Sequence, residues 1–169
     1  MDYRYTVFNS PFGTHFLLAG DKGLVALSLG ESWDKFRERY QELAPGTWRK
    51  VKSSELRTLK RAVESLQAYF KSGRPLTSDV SLDLRGTAFQ RKVWNTLRRI
   101  PHGKTVSYGD IAKNVGAPKA ARAVGSACGS NPIPLFIPCH RVVAGNGGLG
   151  GFGGGLRMKE QLLKLESLG

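Results

Sequence analysis

Three prolines, at positions 132, 134 and 138, restrict the backbone of residues 131–141, which end in Cys139, His140 and Arg141. Proline fixes φ and lacks a backbone N–H donor, so this segment is not expected to be helical. Cys139 should therefore be held on rigid backbone beside an imidazole. A thiol in such a position is a candidate nucleophile, although most free cysteines are small buried side chains without a chemical role.

The length of 169 residues suits one domain or two small ones. The cysteines are Cys128 and Cys139, and neither a Cys-x-x-Cys nor a His-x-x-x-His spacing occurs, so a structural metal site is not expected. The chain does not begin with the pattern of a secretion signal, and its apolar runs are shorter than the roughly 18 residues that a membrane helix needs. We therefore expect a soluble cytoplasmic protein with reduced thiols.

Positive charge is concentrated in the second half of the chain. Residues 1–84 contain 13 Lys and Arg against 10 Asp and Glu, a net charge of +3. Residues 85–169 contain 13 against 3, a net charge of +10. Clustered cations bind phosphate backbones because counterions are released, which favours nucleic acid as the partner. A basic face that only maintains solubility remains an alternative, whereas a membrane surface is disfavoured because no basic amphipathic helix stands out.

The first half has the pattern of a small α+β unit. Apolar and polar side chains alternate in residues 3–9, 15–19 and 24–29, and turn-forming residues separate these runs, which predicts a three-stranded antiparallel meander. Ser32 should begin a short helix that runs to Leu43. Ser53 or Ser54 should then cap a longer helix, which residues 73–75 (Gly-Arg-Pro) end. The apolar stripe of that helix comprises Leu56, Leu59, Val63, Leu66 and Phe70.

A domain boundary is expected where periodicity is lost and the charge changes. Residues 72–86 are rich in Ser, Gly, Pro and Asp and show little periodicity. We therefore predict an N-terminal domain of residues 1–78, a linker of residues 79–86 and a C-terminal domain of residues 87–169.

Three helices are predicted at the start of the C-terminal domain. Thr87 and Gln90 form a capping-box pattern, and the helix they begin should end at Pro101. Ser107 should cap a second helix that runs to about Gly116. Pro118 should open a third helix, over residues 119–129. Two short helices joined by a tight turn that contains glycine are typical of a helix-turn-helix motif.

The third helix is predicted to have two distinct faces. Ala121, Val124 and Cys128 should point inward for packing. The opposite face should carry Lys119, Arg122 and Ser126, with small residues between them that allow close approach to a groove. Those small residues could instead serve tight packing between helices.

The end of the chain adds a glycine-rich loop and a late carboxylate. Val142 and Val143 should form a strand, followed by a hairpin turn at residues 145–148. Eight of the eleven residues 145–155 are glycine, so the loop can bring backbone N–H groups close to a ligand, although a flexible linker has the same composition. The last helix, over residues 156–168, should pack Met158, Leu162 and Leu165 inward. The helix dipole disfavours a carboxylate near the C-terminus of this helix, so Glu166 could instead have the role of orienting His140. The order Cys-His-Glu along the chain also suits a thiol hydrolase.

These segments together resemble the O6-alkylguanine-DNA alkyltransferases, also called methylated-DNA–protein-cysteine methyltransferases. The resemblance rests on residues 137–143 (Ile-Pro-Cys-His-Arg-Val-Val), residues 121–125 (Ala-Arg-Ala-Val-Gly) and the Asn131-Pro132 pair, and it extends without gaps from about residue 87 to 166. It implies a ribonuclease-H-like α/β domain followed by a helical, winged helix-turn-helix alkyltransferase domain. It also implies a suicidal DNA repair reaction, in which alkyl groups pass irreversibly from O6-alkylguanine or O4-alkylthymine in duplex DNA to a cysteine.

The resemblance assigns roles to individual residues. It makes Cys139 the alkyl acceptor, activated by His140 and Glu166 through a water molecule, and Tyr108 the proton donor to the departing guanine. Arg122 would enter the base stack in place of the extruded nucleotide, and Asn131 would join the recognition helix to the active-site loop. The expected DNA-binding residues are Arg122, Lys119, Ala121, Ser126, Arg141 and Asn131. The expected substrate-pocket residues are Val142, Phe152, Gly153 and Pro134.

The resemblance also bears on partners and on substrate size. It implies a monomer that binds the minor groove, without a cofactor, and the first half lacks the cysteines that bind zinc in some relatives. Many relatives have Tyr-Ser where this chain has Phe152-Gly153, so a hydroxyl that could donate to O6 is missing. We hypothesise that Gly153 enlarges the pocket for alkyl groups larger than methyl. A DNA-binding protein without transfer activity, like the alkyltransferase-like proteins, is the alternative function.

Overall fold

The computed structural model describes residues 1–168, and the chain divides into two compact units between Arg85 and Gly86. The first unit is α+β, with a four-stranded sheet and two helices. The second is mainly helical, with a two-stranded sheet. Within the described residues, no helix combines the length and apolar character needed to cross a bilayer.

The predicted meander is confirmed, and the sheet has one further strand. β1 (Asp2–Ser10) pairs antiparallel with β2 (Gly13–Gly20), which pairs antiparallel with β3 (Gly23–Leu27). β4 (Thr47–Lys50) adds to β1 in parallel, giving the order β3-β2-β1-β4. β4 was not predicted because only Trp48 in it is partly buried, so it shows no alternation to detect.

The helices of the first unit are α1 (Trp33–Tyr40) and α2 (Arg57–Ser72). Ser32 caps α1 as predicted, and α2 ends at Gly73, whose φ of +71° suits glycine. The prediction that Ser53 or Ser54 caps α2 is wrong. They lie in a 3-10 turn (Ser53–Glu55), in which the Glu55 carboxylate accepts the Lys52 N–H over 2.8 Å, and α2 starts after it.

The segment predicted as a linker, residues 79–86, is packed against the first unit as far as Arg85. Val80 is buried, and the Leu24 N–H donates to the Ser81 carbonyl over 2.8 Å. The Asp83 N–H in turn donates to the Leu24 carbonyl over 2.9 Å, so this segment extends the edge of the sheet at β3. Backbone pairing of this kind leaves no periodic side-chain signal in the sequence.

The second unit contains α3 (Ala88–Leu97), β5 (Val106–Ser107), α4 (Tyr108–Asn114), α5 (Ala121–Gly129), β6 (Val142–Val143) and α6 (Leu156–Leu168). Capping boxes begin α3 at Thr87 and α4 at Ser107, as predicted. β6 pairs in parallel with β5 and not with a strand after residues 145–148, so the predicted hairpin is wrong. Those residues do form a turn, in which the Ala144 N–H donates to the Gly148 carbonyl over 2.9 Å.

The start and the faces of α5 differ from the prediction. The Ala120 N–H donates to the Ala117 carbonyl over 2.8 Å, which places Pro118 in a turn that its fixed φ suits, and the helix begins after it. The buried residues of α5 are Val124 and Ala127, and the Trp94 indole donates to the Ala127 carbonyl over 2.8 Å. Ala121 is exposed, and Cys128 is only partly buried. The prediction that both residues belong to the core is therefore wrong.

Candidate active site

The proline-rich segment leads into a single 3-10 turn, Cys139–Arg141, whose N-cap is Pro138. The expectation that this segment contains no helical residue is therefore wrong at its end. A proline immediately before a helical turn costs no hydrogen bond, because the first N–H groups have no intrahelical partner. The Arg141 N–H closes the turn by donating to the Pro138 carbonyl over 3.0 Å, which holds Cys139 at a defined position.

Asn131 fixes the loop that carries this turn. Its side-chain amide donates to the Ile137 carbonyl over 2.8 Å, and its side-chain oxygen accepts the Ile133 N–H over 2.9 Å. Leu135, between them, has a φ of +74°, a conformation rare for a side chain of this size. Asn131 is buried, which argues against its expected contact with DNA. These bonds suit its other expected role, as the junction between α5 and the active-site loop.

Cys139 lies at the wall of a cavity of about 480 Å³. The cavity is lined by Tyr108 of α4, by Ala121, Arg122, Gly125, Cys128 and Gly129 of α5, by Cys139, Ala144 and Gly145, and by Gly151, Phe152 and Gly153. Phe152 and Gly153 thus line the pocket as predicted. Among residues 1–168, Val142 and Pro134 are outside this lining. Val142 is fully buried, which argues against its expected contact with substrate.

His140 and Glu166 form a buried pair beside this cavity. The imidazole Nε2 donates to Glu166 Oε1 over 2.6 Å, and within residues 1–168 no protein atom bonds to Nδ1. Burial would raise the pKa of the Glu166 carboxyl, but hydrogen bonds from His140 and Arg141 lower it well below its usual range. Burial lowers the pKa of His140, and the charges of Arg141 and Lys159 lower it further, against the hydrogen bond and charge of Glu166, which raise it. The pair is therefore a neutral imidazole beside a carboxylate, with a basic nitrogen at Nδ1.

Arg141 is part of the same buried network, which argues against its predicted role in binding DNA. Its Nε donates to Glu166 Oε2 over 2.9 Å and its Nη2 to Oε1 over 3.0 Å, a bidentate pair. Its Nη1 donates to the Ile100 carbonyl over 2.8 Å. Only 8% of the residue is exposed, and the guanidinium serves to orient the carboxylate that orients His140.

The two thiols of the cavity have different environments. Burial raises the pKa of Cys139, while a hydrogen bond from Asn131 and the charge of Lys159 oppose that rise. Burial raises the pKa of Cys128 to about 12. Cys128 should therefore remain a neutral thiol at physiological pH. The pKa of Cys139 is raised as well, so its thiol needs a base to take the proton, and Asn131 and Lys159 make that ionisation easier.

Sequence reasoning missed Lys159, which is fully buried on α6. Its Nζ donates to the Val142 carbonyl over 2.5 Å and to the Gly151 carbonyl over 3.1 Å. A signal was available, because Lys159 is three residues before the predicted core position Leu162 and seven before Glu166, on the buried face of the helix.

Tyr108 is partly buried at the start of α4, and its hydroxyl donates to the Gly151 carbonyl over 3.4 Å. Burial, together with any negative charge on Cys128 or Cys139, raises the pKa of the phenol. The hydroxyl therefore keeps its proton at neutral pH and can act as a hydrogen-bond donor or an acid towards a molecule in the cavity.

The surface beside the cavity is the exposed side of α5. Arg122 and Ala121 are exposed and also line the cavity, while Lys119 and Ser126 are exposed on or next to the same helix. This arrangement brings the four residues predicted on this surface together. A basic surface beside a cavity suits an anionic polymer that can place one of its monomers in the cavity.

Comparison with known proteins accounts for both units. Residues 3–84 match the 6-O-methylguanine DNA methyltransferase, ribonuclease-like domain, and residues 88–168 match the 6-O-methylguanine DNA methyltransferase, DNA binding domain. The chain is 43% identical to the methylated-DNA–protein-cysteine methyltransferase of Methanosarcina acetivorans, in an alignment that covers 96% of this chain and 97% of that protein. It is 44% identical to the protein of the same name from Mycolicibacterium paratuberculosis, over 96% of this chain and 92% of the relative.

Among solved structures, Mycobacterium tuberculosis OGT in complex with DNA is similar, with a TM-score of 0.81 and 42% identity. The superposition covers 97% of this chain and 92% of the OGT chain. Since the matches extend through both units, the chain belongs to the 6-O-methylguanine DNA methyltransferase family.

Proposed function

We propose that this protein repairs duplex DNA by direct reversal, transferring the alkyl group of O6-alkylguanine, and of O4-alkylthymine, to its own Cys139. The observation that carries this proposal is the position of Cys139 on the wall of a 480 Å³ cavity, next in sequence to His140, whose imidazole is bonded to Glu166. A nucleophilic thiol with a neutral imidazole as base and a carboxylate to orient that base suits attack on an alkyl carbon.

Activation begins with the thiol proton. His140 Nδ1 accepts the proton of Cys139 through a bridging water, while its Nε2–H remains bonded to Glu166. The imidazolium formed is stabilised by the Glu166 carboxylate, which Arg141 holds in place. A hydrogen bond from Asn131 favours the thiolate at the same time.

Transfer then occurs in one displacement. The Cys139 sulfur attacks the alkyl carbon, an S–C bond forms as the C–O6 bond breaks, and the bonding electron pair remains on guanine. Tyr108 supplies the proton that neutralises the guanine, and the proton that left the thiol restores the phenol, so the protons balance. The product is a thioether, which does not hydrolyse, and each protein molecule therefore reacts once.

Binding requires the lesion to leave the duplex, because a paired base hides its O6 substituent. The exposed face of α5 would lie in the minor groove, with Lys119 and Ser126 near the phosphates and Arg122 inserted in the space of the extruded nucleotide. Insertion offsets part of the cost of unstacking, about a few kcal/mol. One copy of the chain carries all these residues, so we propose that the protein acts as a monomer.

Mass spectrometry after incubation with a duplex that contains O6-methylguanine tests this function. We expect one methyl group per protein molecule on the peptide that contains Cys139, none on the same peptide of Cys139→Ser, and full methylation in the control Cys128→Ser. Binding without an adduct would instead support an alkyltransferase-like binding protein, and repeated turnover would support a thiol hydrolase.

A further inference from the structure

Lys159 is a buried cation that no step of the transfer reaction yet uses. Its exposure is 0%, and its two hydrogen-bond acceptors, the carbonyls of Val142 and Gly151, are uncharged. Among residues 1–168, no carboxylate forms an ion pair with it. Burying an ammonium group without a counter-charge is costly, so retaining it here suggests a function.

The anions that can balance this charge are the thiolates of the cavity. Electrostatic interaction with Cys139 and Cys128 raises the pKa of Lys159, against the stronger effect of burial, which lowers it. Conversely, its charge favours the Cys139 thiolate and disfavours the protonated form of His140. Tyr108 also faces it, with Nζ 5.8 Å from the ring centroid. The Val142 carbonyl that accepts the Lys159 ammonium directly follows the 3-10 turn Cys139–Arg141, and Cys139 is the thiol next to the base His140, so the cation is placed to favour the ionisation of Cys139.

The same ammonium fixes part of the glycine loop, residues 145–155. The Gly151 carbonyl accepts hydrogen bonds from both Lys159 and the Tyr108 hydroxyl. The preceding residue, Gly150, has a φ of +72°, and a Cβ there would lie 2.8 Å from the Tyr108 ring. The loop therefore packs against the Tyr108 ring at Gly150, and the hydrogen bonds from Lys159 and Tyr108 to the Gly151 carbonyl hold it in that conformation.

We propose that Lys159 is a positioning residue for alkyl transfer, whose ammonium group stabilises the Cys139 thiolate and holds the glycine loop at the cavity wall through the Gly151 carbonyl. This role rests on the function proposed above. It separates into two measurable parts, a charge effect on the sulfur and a tether on the loop.

The charge effect can be measured without DNA, from the pH dependence of Cys139 alkylation by iodoacetamide in a Cys128→Ser background. We expect Lys159→Met to slow the reaction at pH 7 about tenfold and to move its midpoint about one pH unit higher. Lys159→Arg should keep the midpoint near that of the parent protein. Lys164→Met, an exposed position on the same helix, is the matched control and should change nothing.

The tether can be measured by amide hydrogen exchange of residues 145–155. Exchange should accelerate in Lys159→Met but not in Lys164→Met. If folded Lys159→Met keeps the midpoint of Cys139 and the exchange of the loop, the proposal is overturned. Since the reagent is iodoacetamide, this result is independent of whether the protein accepts alkyl groups from DNA.

A second measurement covers the case in which Lys159→Met does not fold. The titration of Lys159 Nζ, followed by nitrogen NMR, should have a lower midpoint in Cys139→Ser than in the parent protein, because the thiolate that stabilises the ammonium is removed. An unchanged midpoint would overturn the charge part of the proposal.

Discussion

His140 Nε2 lies 2.6 Å from Glu166 Oε1, and the other oxygen of that carboxylate accepts the Nε of Arg141 over 2.9 Å. One buried carboxylate thus orients the proposed base and is itself oriented by a guanidinium. The arrangement fixes the tautomer of His140, because the proton on Nε2 is held by Glu166 and leaves Nδ1 basic.

Replacing Glu166 with Gln should slow alkyl transfer about a hundredfold, since the amide cannot stabilise the imidazolium in the same way. It should also lower the free energy of unfolding by about 3 kcal/mol, because Arg141 is left buried without its counter-charge. Single-turnover rates on a methylated duplex and chemical denaturation measure the two effects. Glu160→Gln, an exposed position on the same helix, is the control and should leave both quantities unchanged.

As the pH is lowered, the free energy of unfolding should decrease in two stages. The folded pKa of His140 is lower than that of an unfolded histidine, so its contribution is complete above about pH 6.5 and is lost as the pH falls below that value. The folded pKa of Glu166 is also lowered, so its contribution is lost only below about pH 4.3. His15 of the first unit, whose pKa burial lowers, adds to the first stage.

Chemical denaturation at a series of pH values tests this order. His140→Gln should reduce the slope between about pH 6.5 and 4.5 without removing it, because His15 remains. Glu166→Gln should reduce the slope below about pH 4.3. A parent protein whose free energy of unfolding rises as the pH falls from 6.5 would contradict both signs.

Arg141→Lys should weaken the fold and leave DNA binding intact. A lysine cannot reproduce the two parallel bonds to Glu166 together with the bond to Ile100, so we expect a loss of about 1–3 kcal/mol in the free energy of unfolding. The salt dependence of binding to unmodified duplex should not change, because the side chain is buried. A flatter salt dependence in this variant would instead restore Arg141 to the DNA surface.

How far the sequence predicted this structure depends on the kind of signal. Capping residues such as Thr87 and Ser107 act locally, and the structure confirms their helices. The start of α5 was misplaced because Pro118 suits a turn as well as a first helical position. The family resemblance suggested the partnership of His140 with Glu166, but the buried positions of Arg141 and Lys159 depend on tertiary contacts. Charged residues are exposed by default, so their burial is hard to read from a single sequence.

Arg122→Ala should affect repair in a duplex more than reaction with a free base. The side chain is exposed beside the cavity, and its proposed task is to fill the space left by an extruded nucleotide. We expect about a hundredfold loss of rate on a methylated duplex, because about 2.7 kcal/mol of the cost of extruding the nucleotide is no longer offset. The rate on O6-benzylguanine as a free base should change little. Arg122→Lys is the matched control for charge. Equal losses on duplex and free base would count against insertion.

Gly153→Ser should narrow the range of alkyl groups that the cavity accepts. Gly153 lines the cavity, and a Cβ added there meets no atom within 4 Å, so the substitution is compatible with the fold. The serine would occupy space next to the alkyl group and add a hydroxyl that can donate to O6. We expect rates on O6-benzylguanine and longer O6-alkyl lesions to fall about tenfold relative to the rate on O6-methylguanine.

Two further substitutions separate the causes of this change. Gly153→Ala adds volume without the hydroxyl, and it should reproduce the loss on large lesions without any gain on O6-methylguanine. Gly150→Ala is the contrasting loop variant, because its Cβ would meet the Tyr108 ring and its φ of +72° disfavours a side chain, so it should slow transfer of every alkyl group. If Gly153→Ser and the parent protein discriminate equally between benzyl and methyl, Gly153 does not set the size of the pocket, and the selectivity must lie elsewhere on its wall.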